Sequence, residues 1–160
     1  EQKLERIIRY LLEDIQSRRT TRLFPHLWVL ANHDDFVAKA VDSIYILERA
    51  TFTKLIAEIN PALNAAEREG LAVFLSSAVA GSTMFIGYEK PWGQYLPLYS
   101  AIACRAIVEL VRTISPEQLQ AYGWQRSNIG PDWRPPTLLQ PEEYDALIAG
   151  ALALRTPAAG

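Results

Sequence analysis

Leu4, Ile7, Ile8, Leu11, Leu12 and Ile15 recur every three or four residues at the start of the chain, and the same period returns in successive segments to about residue 114. That spacing gathers apolar side chains on one face of a helix, whereas a strand needs strict alternation, which no segment shows. The pattern predicts an amphipathic helix over 2–17, a polar connector at Ser17-Arg18-Arg19-Thr20, and a second helix over 21–31 with Pro25 in its first turn. Asn32, Asp34 and Asp35 supply stop and cap chemistry between that helix and a third, 34–59, which ends at Asn60-Pro61. Asn64 with Glu67 three residues on is a capping-box variant that opens a fourth helix, 65–86. Pro91-Trp92-Gly93 reads as a turn, and a fifth helix follows from Gln94 to Ile114. Ser115 and Gln118 cap a short sixth helix through Tyr122. Residues 123–140 read as loop, 141–154 as a last helix and Thr156–Gly160 as a loose tail. The expected fold is all-α, a bundle of about six to seven helices, with 115–160 as an extension packing on a body formed by 1–114.

Length and charge narrow what such a bundle can do. The 160 residues are about one domain, and 49 % apolar content is enough for a core. A formal net charge of −2 gives no basic footprint, so these residues alone are expected to bind DNA poorly. One cysteine, Cys104, excludes an internal disulfide, and a reducing, cytoplasmic setting is the simplest expectation. Every long apolar run meets a charge or a glycine, so no membrane span is expected. Glu1-Gln2-Lys3-Leu4-Glu5-Arg6 is a charged helical start without a good cap. It reads as a helix cut into from its N-terminal side and not as a signal peptide.

Recognised chemistry is sparse. The two histidines, His26 and His33, lie seven apart across the break at Asn32, and neither belongs to a His-x-x-x-His or Glu-x-x-His pair, so no metal site is expected. Asp34 is better read as a helix cap, His33 as a loop residue, and His26 as either a pocket or a surface group. Cys104, among Ala101, Ala103 and Ile107, is expected to be a small buried thiol without a base. No Gly-rich phosphate loop occurs, and no cofactor is expected. Two features remain. The run from Ser76 to Thr83 holds small residues at nearly every position, which suits either tight packing inside the chain or a symmetric contact between two copies. Aromatic residues recur on several helices, as core or as the lining of a small-molecule pocket that His26, Glu48, Gln94 and Thr83 could make polar.

The segment from Thr21 to Phe36, with Leu23, Leu27, Leu30 and Ala31 on one face beside Phe24 and Trp28, resembles the start of the regulatory domain of tetracycline-repressor-like transcription factors. Val79-Ala80-Gly81-Ser82-Thr83-Met84-Phe85-Ile86-Gly87 is similar to a run on a later helix of that family, with Ala80 where an acidic residue is common. The resemblance covers 1–114 and implies a homodimer whose two last long helices pair with their two-fold mates. Phe74, Ser77, Ala78, Gly81, Phe85, Ile102 and Ala106 would form that interface. It implies a small apolar or aromatic effector held by Trp28, Tyr45, Glu48, Phe52, Met84, Tyr88, Trp92 and Tyr95. Operator DNA would be read by a helix-turn-helix domain preceding Glu1, with the two recognition helices about 34–36 Å apart. The effector would relieve repression by changing that spacing. Two other readings stay open: a helical protein-interaction module without a ligand, and a small helical enzyme using His26, His33 or Glu48 as acid or base.

Overall fold

The computed structural model describes residues 1–124, and these form six α-helices and no strand. They are α1 (Gln2–Asp14), α2 (Arg18–Ala31), α3 (Asp35–Ile59), α4 (Ala65–Ile86), α5 (Leu96–Thr113) and α6 (Pro116–Ala121), with one 3-10 turn at Gly93–Tyr95 before α5. The all-α bundle is as the periodicity predicts. The expected loop over 125–140 and the helix over 141–154 lie outside the described residues.

Caps set most of the boundaries. The Asp34 carboxylate accepts from Phe36 N and Val37 N, and Asn64 and Glu67 form a complete capping box at α4. Ser115 and Gln118 do the same at α6. The first connector departs from expectation. α1 ends at Asp14, and Ser17 is itself an N-cap whose hydroxyl accepts from Thr20 N, so Arg18 already belongs to α2. Thr20 also donates to Asp14 Oδ2 at 2.7 Å, which ties the two helices together. Because α2 begins three residues earlier than expected, Pro25 lies in its interior and not in its first turn. A proline there withholds one ladder hydrogen bond, from the carbonyl of Thr21.

The core lies between α1, α3, α4 and α5. Leu4, Ile8 and Leu12 of α1 meet Phe52 and Ile56 of α3, Leu75 of α4, and Cys104 and Val111 of α5. α3 is the hub for α2 and α4, while α1 packs chiefly along α5. At one end of the bundle the buried Asn60 side chain donates to the carbonyls of Val111 and Ile114 at 2.9 and 2.8 Å, closing the C-terminal turn of α5 from the end of α3. α2 stands apart: its only buried residues are Thr20 and Thr21.

α4 runs without interruption through Gly81. Among the described helices it alone is long and apolar enough, by length and composition, to cross a membrane, with a mean hydropathy of 1.4 over its best window. Only 44 % of that window is buried in the bundle, so a second apolar face points away from the core.

Candidate functional site

A cavity of about 70 Å³ opens between α2 and the rest of the bundle. Each wall follows from helical spacing. Thr20, Phe24 and Trp28 fall at i, i+4 and i+8 on the inner face of α2, and Tyr45 and Glu48 lie one turn apart on α3. The last turn of α1 contributes Leu11 and Asp14, with Ile15 just beyond it. α4 closes the back with Val79, Ala80 and Thr83. The three rings form one cluster: Phe24 lies 6.3 Å from Trp28 and 6.4 Å from Tyr45 between centroids, and Trp28 Nε1 donates to Tyr45 Oη at 3.0 Å.

The polar groups are unevenly satisfied. Asp14 holds the Thr20 hydroxyl, but Glu48 Oε1 is shielded from solvent without a hydrogen-bond partner. Burial pushes the Glu48 carboxyl above its usual range, and neighbouring Ser76 and Arg49 pull it only part of the way back. The Arg49 guanidinium is drawn to Glu69, at 3.7 Å, and Glu69 also accepts from Thr53. Burial likewise raises the Tyr45 phenol, against the pull of the Trp28 hydrogen bond.

Directly beside the cavity, α1, α2 and α4 are pinned at one joint. The Thr21 hydroxyl donates to the carbonyl of Ile15 and accepts from Tyr88 N at 2.8 Å, while the Gln16 amide donates to the carbonyl of Ile86. Gly87 allows the approach, since a Cβ there would stand 2.5 Å from the Thr83 oxygen and 2.6 Å from Thr21 Oγ1.

Of the residues expected to hold an effector, Trp28, Tyr45 and Glu48 share this cavity, as does Thr83. The others do not line it. Phe52 is fully buried in the core. Met84 is 51 % exposed on the far face of α4, and Trp92 and Tyr95 form a tilted pair in the open, 6.2 Å between centroids. Tyr88 is partly buried, and its backbone serves the joint. His26, His33 and Gln94 are exposed. Asp14, Leu11, Ile15, Thr20 and Phe24 are lining residues that sequence reasoning missed. The signal for two of them was available, because Thr20, Phe24 and Trp28 repeat at one helical register.

The residues expected at a dimer contact are exposed on α4 and α5, Ala78 only in part. Phe74 and Phe85 of α4 and Ile102 of α5 are 52 %, 64 % and 60 % exposed. Ser77, Gly81 and Ala106 are exposed with them, and Ala78 is partly covered. The small-residue run is divided: Ser76, Val79, Ser82 and Thr83 are buried inside the chain, whereas Ser77 and Gly81 face outward and a Cβ on Gly81 would meet nothing within 4 Å. Cys104 is buried, its thiol pushed up chiefly by burial. Among the described residues no three His, Cys, Asp or Glu side chains cluster as metal ligands.

No protein-family model, curated protein or solved structure matches this chain.

Proposed function

We propose that this chain is the ligand-binding and dimerising part of a transcriptional regulator of the tetracycline-repressor type, acting as a homodimer that senses a small molecule. The carrying observation is the position of the cavity. Asp14 and Ile15 line it, and Ile15 also belongs to the hydrogen-bonded joint between α1, α2 and α4. A ligand filling the cavity touches the end of α1 and the start of α2 together. It shifts their arrangement by no more than its differential affinity for the two states. α2 is the wall with least to hold it, since no apolar side chain of that helix is fully buried. The apolar outer face of α4 and α5 supports a two-fold contact that would carry the shift from one copy to the other. With a net charge of −2, these residues leave DNA contact to a separate helix-turn-helix domain.

Native mass spectrometry tests the reading. A species at twice 18.0 kDa, with added small-molecule mass from cells, is the expected result. A monomer at every concentration would remove α4 and α5 as a self-contact and leave a module that binds another protein on that face.

A further inference from the structure

Resting on the reading of the cavity as a ligand site, we infer that it takes a small primary amine as the ammonium ion, charge toward Glu48 and Asp14 and apolar body against Phe24, Trp28 and Tyr45. The charges in the wall are of one sign. Asp14 comes from α1 and Glu48 from α3, and no Lys, Arg or His is among the described residues lining it. Arg49, next to Glu48 in sequence, is engaged by Glu69. A carboxylate or phosphate ligand would meet two acids and no counter-charge, whereas an ammonium meets both. Glu48 Oε1 and the neighbouring Ser76 hydroxyl make no close hydrogen bond, and a ligand N–H would give the carboxylate a charged donor where solvent does not reach. Three rings on the same wall offer π-faces that favour a cation over a neutral isostere. A buried carboxyl held above its usual range also gains from a counter-ion more than an exposed one would. Size limits the body: about 70 Å³ is under half of the roughly 150 Å³ that accepts benzene, so the cavity encloses only the head and part of a compact alkyl body, the rest lying at its open mouth, and a polycycle does not fit.

Isobutylamine, isobutanol and isobutyrate share one branched four-carbon skeleton and differ in the polar group at its end. Each is titrated into the 160-residue protein and followed by amide and indole chemical shifts, including the Trp28 indole. The amine is expected to bind in the millimolar range, the alcohol about tenfold more weakly, and the carboxylate not at all. E48Q is expected to weaken the amine about tenfold and leave the alcohol unchanged, and D14N to weaken the amine several-fold. Should E48Q fail to fold, D14N still decides. Equal binding of amine and alcohol, untouched by either variant, or preferential binding of isobutyrate, overturns the amine assignment while the cavity stands as a ligand site. If none of the three moves a cavity signal, both the amine assignment and the sensor reading are overturned, and the dimer face is judged on its own.

Discussion

α1 and α4 press side chains into the same core, yet they turn opposite kinds of surface outward. The outer face of α1 carries Lys3, Arg6, Arg9 and Glu13, with Arg9 paired to Glu5 at 2.9 Å and Lys3 reaching Glu58 at 4.0 Å. The outer face of α4 carries Val73, Phe74, Ser77, Gly81, Met84 and Phe85, and no charged residue occurs between Glu69 and Glu89. α5 likewise exposes Leu98 and Ile102. A helix facing water on one side is amphipathic, as α1 is, whereas a helix apolar all round is one that meets a partner on both sides. Such a patch has no charge to desolvate if it is covered, which is what the proposed two-fold contact requires. The contrast separates residues that hold the chain folded from apolar residues that the fold leaves uncovered.

The sharpest way to break that division is at the inner face of α1. Ile8→Ala should cost about 2–5 kcal/mol in urea unfolding, because the residue is wholly buried where α1 meets the core. At the outer face of α4 and α5, the double change Phe85→Glu and Ile102→Glu should leave the helical signal of a single chain intact. Sedimentation should show self-association weakened at least about a hundredfold. Loss of the fold instead would mean that this face is packed within the chain. Arg9→Ala, on the outer face of α1, is the control and should change neither quantity. Next in size is the cap: Asn64→Ala removes the box that starts α4 and should cost about 1 kcal/mol. α1, whose N-cap residue Glu1 makes no side-chain cap bond, has no equivalent sensitivity.

The smallest effect is at Glu48 and depends on pH. Its folded-state pKa is raised above that of the unfolded chain, so the contribution is fully present while the carboxyl is protonated, below the unfolded value, and is lost as pH rises through the folded value. Melting curves of the ligand-free protein should therefore show Glu48→Gln level with the parent near pH 4 and more stable near pH 8. An unchanged difference across that window would mean that Glu48 is not held in a low-dielectric wall.

Helix order, most boundaries and the outward stripe of α4 were legible because they depend on local period and on caps. Ser17 was equally legible as a cap, but its position within Ser17-Arg18-Arg19-Thr20 made it read as connector, and that misplaced Pro25. The cavity was legible at Trp28, Tyr45 and Glu48, on two helices adjacent in the chain, and at Thr83 of α4. Leu11, Asp14 and Ile15 join it through packing that no local pattern records. Met84, Trp92 and Tyr95 were expected in the pocket because they are large and polarizable, but side-chain type does not report direction. Register does: Met84 lies three residues after Gly81 and beside Phe85, on the exposed stripe.

The pairing of α1 with α5 has a consequence for synthesis. Cys104 reaches the backbone of Glu5 across 99 residues of sequence, and Leu4 and Ile8 share a core with Val111. During synthesis α1 therefore waits for α5 before its apolar face is fully covered. Closing so long a loop makes folding slower than helix content alone suggests. Until α5 emerges, the nascent chain shows two uncovered apolar surfaces, one temporary on α1 and one lasting on α4. A chaperone that binds the first must then let it go without holding the second.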